Sequence, residues 1–324
     1  MRRRVLTVVA GLLLCVGPNA FGEDDEAVKL MRSMAEATKN LNYDGVFIYQ
    51  RDSRIDSMRI VHKYEAGMEK ERLISLSGPQ REVIRDGSRV TCLFADDREA
   101  MVEKMEPREF LTLGLSEPLD DLAKSYDFNV TGHDRIADRG AIIVSILPKE
   151  ANRYGYKLWI DDEHKLLLKS VISNQAGRPL EQVQFVQVTV SDELPDSLLE
   201  TQLSGSGFIW RRGSEEAHSA TTLVETSGWS VEWLPSGFYM RNYKVQTMLE
   251  SDMPVSHLVY SDGLAMVSIF VERLLDHMDP VRGYSAMGAV NAFSRVSDNH
   301  QITVVGEMPL PTVRRIASSV KYNQ

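Results

Sequence analysis

Short apolar segments, each bounded by turn-forming residues, recur along most of this chain and limit the folds it can adopt. YDGVFIYQR (43–51), SMRIVHKYE (57–65) and ERLISLS (71–77) are rich in branched and aromatic residues. A spacing of about ten residues between such segments is typical of an antiparallel barrel or sandwich. Strands do not alternate with helices, so the pattern does not favour a doubly wound fold.

Other elements complete this mostly β, α+β pattern. Asp86-Gly87 between two apolar runs predicts a tight hairpin. Residues 24–40 have apolar residues at helical spacing and an acidic start, which predicts a helix. A more helical patch is expected at 107–126. Further strands are predicted at 127–133, 140–147, 154–161, 165–173 and 180–191.

The small and charged residues of 204–219 interrupt this pattern. SGSG (204–207) and RRGSEEAHS (211–219) have the composition of a linker. We therefore predict one domain at 23–203 and a second at 220–324. The second should be a small α+β domain, with strands near 229–234, 237–248, 255–261, 264–272 and 301–306 and a final helix from about 312.

The first 22 residues have the features of a secretory signal peptide. Three arginines precede an apolar run from Val5 to Val16, and Ala20-Phe21-Gly22 offers a cleavage site. A membrane span needs about 20 apolar residues, so this run is too short for a retained anchor. Cys15 follows Leu14 rather than a small residue, which does not favour lipidation. We expect an exported protein cleaved near Gly22.

The segment SHLVYSDGLA (256–265) carries the residue types of a hydrolase triad. Asp262-Gly263 predicts a two-residue hairpin turn there. His257 and Ser261 would share a face but lie about 13 Å apart, at roughly 3.3 Å per residue. Proton transfer needs hydrogen-bond contact, so we predict no catalytic residues and no enzyme. The predicted opposite pairs are Ser261–Leu264, Tyr260–Ala265 and His257–Ser268.

Metal, cofactor and nucleic-acid sites are not expected either. The seven histidines form no metal-ligand motif, and Asp161-Asp162-Glu163 is interpreted as a solvated turn. No phosphate-binding loop or dinucleotide fingerprint occurs. Removing the arginines of the leader takes the formal net charge from −9 to −12, which does not favour binding to nucleic acid. Cys92 would be the single cysteine left, so no internal disulfide can form.

Apolar residues of the first domain have two interpretations. They form an ordinary core, or they line a cavity of a half-filled barrel that holds a lipid. The sequence leaves both open, and methionine suits adaptable apolar surfaces. The candidate cavity residues are Met31, Met34, Phe47, Tyr49, Met58, Ile60, Leu93, Phe94 and Met101.

Long stretches of the chain resemble the RseB/MucB family of periplasmic regulators. In the first domain the resemblance lies in NYDGVFIYQR, SMRIVHKYEAGMEKERLISLSGPQREVIRDG and VTCLFADD, within 42–97. In the second it lies in LPSGFYM, MPVSHLVYSDGLAMVSIFVE, GAVNAF and ITVVGEMPLPTVRRIASSV. These segments span nearly all of the exported chain and are far more specific than a short motif.

The resemblance implies a fold and a function. The first domain would be an unclosed antiparallel β-barrel with helices in its mouth, similar to the lipoprotein carriers LolA and LolB. The protein would bind the periplasmic region of a membrane-spanning anti-sigma factor of the RseA or MucA type and shield it from the site-1 protease. Lipopolysaccharide or a related lipid would release it, with alginate synthesis among the outputs in pseudomonads.

Within this interpretation the lipid enters the first domain, and the partner contacts the second domain and the interface. Candidate partner contacts are His257, Tyr260, Ser268, Arg282 and Tyr284. A homodimer is a further possible assembly. The alternative function is a periplasmic lipid or lipoprotein carrier, although such a carrier needs neither the linker nor the second domain.

Overall fold

A computed structural model describes residues 23–104, 119–203, 207–212, 228–248, 251–275 and 279–322. The predicted signal peptide lies outside these ranges, and so does 107–118 of the expected helical patch. Within the described ranges, no helix is both long enough and apolar enough to span a lipid bilayer.

The first domain begins with the predicted helix and continues into a large sheet. Helix α1 spans Glu23–Asn40, and the short helix α2 spans Leu119–Leu122. The strands are β1 Tyr43–Arg51, β2 Arg54–Glu65, β3 Met68–Ser75, β4 Arg81–Asp86, β5 Arg89–Phe94, β6 Glu99–Lys104, β7 Tyr126–Ile136, β8 Arg139–Pro148, β9 Gly155–Asp161, β10 Leu167–Ser173, β11 Pro179–Val190 and β12 Ile209–Arg212.

These twelve strands form one unclosed barrel-like sheet. Their order is β12-β6-β5-β4-β3-β2-β1-β11-β10-β9-β8-β7, so β7 and β12 are its two ends. All neighbours are antiparallel except β12, which runs parallel to β6. The tight hairpin predicted at Asp86-Gly87 is confirmed, because Asp86 pairs directly with Arg89.

Helix α1 fills one half of the sheet's inner face. Ala27, Met31 and Met34 are completely buried, as their spacing along one helix face predicts. They pack against the inward residues of β7 to β10 in one apolar cluster. Its buried members are Ala27, Met31, Met34, Leu119, Leu122, Tyr126, Phe128, Val144, Ile146, Tyr156, Leu158, Ile160, Leu167 and Leu264.

The second domain packs one helix on a six-stranded antiparallel sheet. Its elements are β13 Trp229–Val231, β14 Tyr239–Met248, β15 Ser251–Ser261, β16 Met266–Arg273, β17 Gly283–Met287, β18 Val290–Ser297, β19 His300–Gly306, α3 Leu310–Ser319 and β20 Val320–Tyr322. The sheet order is β14-β15-β16-β19-β18-β17, and β13 pairs with β20 beside it. Val313, Ile316 and Ala317 of α3 are fully buried against one face of this sheet.

Part of the predicted linker is a strand, and that prediction was wrong at this point. Ile209–Arg212 pairs with Glu99–Val102 at the edge of the first sheet. Its apolar residues, Ile209 and Trp210, follow the polar SGSG segment and were overlooked between two polar stretches. The remainder of 204–219, apart from 207–208, lies outside the described residues.

Candidate functional site

The loop between β15 and β16 carries the most buried polar contact between the two domains. Arg153, in the loop before β9, is completely buried, and Asp262 of the second domain is 6% exposed. Arg153 Nε donates to Asp262 Oδ2 at 2.7 Å, and the Tyr126 hydroxyl donates to the same oxygen at 3.0 Å. A buried ion pair is tolerated when its remaining hydrogen bonds are also satisfied.

Asp262 also shapes its own loop. Its other oxygen, Oδ1, accepts from the main-chain amides of Leu264 at 3.0 Å and Ala265 at 2.8 Å. Ser261 Oγ donates to the Ala265 carbonyl and accepts from the Gly263 amide, both at 2.9 Å. The carboxylate therefore fixes the turn with one oxygen and reaches the first domain with the other.

These bonds widen the hairpin, and the predicted two-residue turn was wrong. The loop spans 262–265, and Ser261 pairs with Met266 instead of Leu264. The shift is two residues, so every side chain keeps its predicted face. The other corrected pairs are Tyr260 with Val267, His257 with Phe270, and Ser268 with Val259.

The guanidinium of Arg153 is enclosed by second-domain groups and by Tyr126. It donates a further hydrogen bond to the Ser236 carbonyl oxygen. It lies 5.7 Å from the ring centre of Tyr126 and 5.3 Å from that of Phe238. Burial raises the pKa of the Tyr126 hydroxyl well above its usual range, with Tyr156 and Asp262 adding to the effect. Tyr126 therefore remains a proton donor to Asp262.

Leu264 extends the same loop into the first domain. It is 8% exposed and belongs to the apolar cluster beneath α1, although it lies between two strands of the second domain. The second domain thus completes part of the first domain's core. The joint formed by Arg153, Tyr126, Asp262 and Leu264 therefore combines a buried ion pair with apolar packing.

A second contact joins the domains at the turn between β17 and β18. The Ala289 amide donates to Glu181 Oε1 at 2.9 Å, and the Gly288 amide donates to Asp52 Oδ2 at 3.0 Å. Gly288 has a φ of +61°, and a Cβ there would lie 2.3 Å from Glu181 Oε1. Only glycine permits this approach. The Tyr49 hydroxyl donates to the other oxygen of Glu181 at 2.9 Å.

Most of the candidate lipid-cavity residues share the inner face of the first sheet. The register places Ile60, Leu73, Val83, Cys92 and Met101 opposite one another in one row across β2 to β6. Residues directly opposite in a sheet point to the same side. Phe47, Tyr49, Met58 and Phe94 occupy neighbouring positions on that side.

Three candidate residues are placed differently. Met31 and Met34 are core residues of α1, fully buried against β7 to β10. Leu93 lies on the opposite face, in a row with Glu82 and Ala100, because it is one residue out of phase with Cys92. Fewer than nine of the candidate residues therefore lie on the inner face of the sheet. Of those on β2 to β6, Met58, Phe94 and Met101 are half-buried.

A small void lies between β10 and β11. It is lined by Leu168, Val183 and Phe185 and has a volume of about 10 Å³, which is roughly the space needed for one water molecule. This void cannot hold an acyl chain. In the described part of the first domain, half-buried apolar side chains lie instead on the inner face of β2 to β6.

The five candidate partner residues fall into three environments. His257 and Ser268 are half-buried on the sheet face opposite α3, and the His257 ring stacks on Phe270 at 4.3 Å. Tyr260 is buried in the core on the α3 side. Arg282 and Tyr284 are exposed at the edge strand β17.

The hydroxyl of Ser261 is engaged in the turn rather than with a histidine. Ser268 pairs with Val259, which removes it from the position opposite His257. Among the residues that the structure describes, no three His, Cys, Asp or Glu side chains are grouped to hold a metal ion.

A buried histidine lies where α1 joins the sheet. His62 Nδ1 is 2.7 Å from the Leu41 carbonyl oxygen, and Nε2 is 3.2 Å from Glu69 Oε1. Burial lowers the pKa of His62, but the hydrogen bonds to Glu69 and Leu41 and the charge of Glu71 outweigh it, so the pKa is raised. The hydrogen bond from His62 is the largest influence on the Glu69 carboxyl and lowers its pKa.

This histidine predicts a pH dependence of stability. Because its pKa is raised on folding, its contribution is complete below the unfolded value of about 6.5 and is lost as pH rises through the folded pKa. The free energy of unfolding should therefore fall as the pH rises above about 6.5, measured by urea titration. His62→Gln should flatten this slope, and an unchanged slope in the variant would contradict the assignment.

Together these observations define a class: a two-domain β protein in which an unclosed barrel is joined to a small α+β domain through buried contacts. Family models describe the same two units, the MucB/RseB N-terminal domain at residues 26–203 and the MucB/RseB C-terminal domain at 224–321. The chain belongs to the MucB/RseB family.

Individual relatives match over nearly the whole chain. Sigma factor AlgU regulatory protein MucB of Pseudomonas aeruginosa is 31% identical, covering 99% of this chain and 98% of the relative. Sigma-E factor regulatory protein RseB of Haemophilus influenzae is 29% identical, covering 96% of each. The solved Pseudomonas aeruginosa MucA/MucB complex matches with a TM-score of 0.73 and 29% identity, over 92% of this chain and 99% of the solved one.

Proposed function

We propose that this protein is a periplasmic negative regulator of an envelope-stress sigma factor. It binds the periplasmic region of a MucA- or RseA-like transmembrane anti-sigma factor and protects it from site-1 proteolysis. Membership of the MucB/RseB family over both domains supports this function, as does the solved complex of a relative with MucA. The leader directs export and is removed near Gly22.

The observation that carries the proposal is the joint between the domains. Asp262 and Leu264 of the second domain are buried in the first. A regulator needs its signal-binding and partner-binding parts to be coupled, and a buried joint provides a physical connection between them. A lipid carrier built on the first domain alone would leave the position of Leu264 empty, which weighs against the carrier alternative.

Lipid release is the second part of the proposal. The apolar inner face of β2 to β6 is the surface we assign to acyl chains of lipopolysaccharide or a related lipid, with Met58, Phe94 and Met101 among its half-buried members. If lipid binding weakens partner binding, partner binding must weaken lipid binding by the same factor.

Partner binding is tested with the purified periplasmic segment of the cognate anti-sigma factor. We expect a complex at micromolar concentration or below, measured by calorimetry, and slower cleavage of that segment by the site-1 protease. Bovine serum albumin in place of the regulator controls for nonspecific protection. No binding at micromolar concentration would exclude the function.

Lipid coupling is tested in the same assay with lipopolysaccharide at saturation. We expect the partner affinity to fall at least tenfold. Met58→Lys should weaken the lipopolysaccharide effect, because it places a charged group on the apolar inner face of β2 to β6. Leu147→Lys, at an exposed site on β8, should leave the effect unchanged. Equal partner affinity with and without lipopolysaccharide would refute the coupling.

A further inference from the structure

The edges of the two large sheets differ in how they are protected. An exposed edge strand can pair with another chain, and proteins prevent this with charges, bulges or very short strands. Strand β7 has Asp134, Arg135 and a register shift before Gly132. Strand β12 has only four residues, two of them arginines. Strand β14 carries Arg241, Lys244 and two register shifts.

Strand β17 is one residue longer than β12 and lacks the charges and register shifts of the other edges. Its sequence, GYSAM, contains neither a charged residue nor proline, and its pairing with β18 is regular from end to end. All five residues are exposed, with Tyr284 at 66% and Met287 at 50%. Gly283, Ser285 and Ala286 are small, so another main chain can approach closely. Among the described edges of the two sheets, β17 is the one open to strand addition.

The position of β17 connects this edge to the domain joint. The strand ends at Met287, and the next two residues are the turn whose amides are bound by Asp52 and Glu181 of the first domain. Asp52 belongs to the turn between β1 and β2, and Ile55, the second residue of β2, is also exposed. One end of a segment that pairs along β17 therefore lies beside the first domain.

We propose that β17 binds an extended segment of the anti-sigma factor's periplasmic region as an additional strand of the second sheet. This inference rests on the proposed function and specifies the mode of recognition. Main-chain hydrogen bonds along the edge supply affinity, and side chains of alternate residues supply specificity. Tyr284 and Met287 point to opposite faces, so the incoming segment presents apolar side chains on both and contains no proline.

The length of the edge favours such a segment over a second copy of this chain. Five residues extend about 17 Å at roughly 3.4 Å per residue. Two such edges paired with each other bury far less than the roughly 1,200 Å² of a stable specific interface. An extended partner can continue from β17 onto the first domain and gain additional contact there.

The test is a charge placed on the edge. Tyr284→Lys and Met287→Lys are each compared with Val245→Lys, which introduces the same charge at an exposed site on β14. Affinity for the periplasmic segment of the anti-sigma factor is measured by calorimetry, folding by thermal denaturation, and mass by light scattering. Hydrogen exchange of residues 283–287 is followed with and without the segment.

We expect at least tenfold weaker binding in both edge variants, less than twofold change in Val245→Lys, and protection of β17 amides only in the wild-type complex. Wild-type affinity in the edge variants, or unprotected β17 amides in the complex, would overturn strand addition while leaving the proposed function standing. No binding by the wild type would overturn both. A wild-type dimer that the edge variants convert to a monomer would assign the edge to a second copy instead.

Discussion

Asp262→Ala should lower the free energy of unfolding by about 3–5 kcal/mol, the cost of leaving one member of a buried ion pair without its partner. Arg153 is completely buried, and the only carboxylate left near it would be the distant Glu150 oxygen at 3.5 Å, beside its hydrogen bond to Ser236 and its ring contacts. The loss is measured by urea denaturation. Asp262→Asn retains an oxygen for the Leu264 and Ala265 amides, so its free energy of unfolding reports the loss of the charge without the loss of the turn.

Two control variants test whether the lost stability comes from the buried charge. Glu232→Ala breaks the exposed pair with Lys321 in the same domain and should cost less than about 1 kcal/mol. The double variant Arg153→Met with Asp262→Asn removes both charges and keeps an oxygen for the Leu264 and Ala265 amides. It should recover most of the lost stability, since no charge is then buried without its partner. If Asp262→Ala costs no more than Glu232→Ala, the pair does not hold the domains together.

The strands and helices were largely predictable because their signals are local. Tyr43–Arg51 was predicted with its observed bounds, and α1 within one residue, from apolar spacing that depends on neighbours in the sequence. The hairpin at Asp86-Gly87 was confirmed for the same reason. The hairpin at Asp262-Gly263 is also present, but its predicted two-residue turn was wrong. Asp262 accepts hydrogen bonds from the Leu264 and Ala265 amides in a wider loop.

The domain joint could not be predicted because its members are far apart in the sequence. Asp262 was assigned to a turn, which is correct for one of its oxygens. Its second oxygen binds Arg153, 109 residues earlier. An arginine before an apolar strand has no local feature that distinguishes it from other surface cations, so the sequence offered no signal for its burial.

The apolar candidates show the same limit within one domain. Met58 and Ile60 were chosen as apolar residues, and they share one face of β2 because they are two residues apart in a strand. Leu93 was included because it is apolar, yet its face depends on where β4 and β5 begin to pair. Register of that kind follows from the whole sheet, and Met31 and Met34 became core residues because α1 covers that half of it.

Leu264→Ala should both destabilise the protein and uncouple its two domains. Truncating a buried leucine costs about 2–5 kcal/mol through lost burial and the cavity left behind, and this cavity would lie in the first domain's core. Leu264 belongs to the apolar cluster beneath α1. We expect lipid to change the packing of this cluster and thereby to alter partner binding through Leu264. We therefore expect the tenfold effect of lipopolysaccharide on partner affinity to fall below threefold in this variant.

Leu274→Ala is the matched control for this variant. Leu274 has the same 8% exposure but follows the opposite end of β16, away from the loop that contacts the first domain. Its loss should cost a similar amount of stability in urea denaturation and leave the lipopolysaccharide effect intact, because destabilisation alone does not remove a coupling free energy. Full lipopolysaccharide coupling in Leu264→Ala would show that the signal crosses the interface elsewhere, and the contacts of Gly288 and Ala289 with Asp52 and Glu181 would then be the route to test.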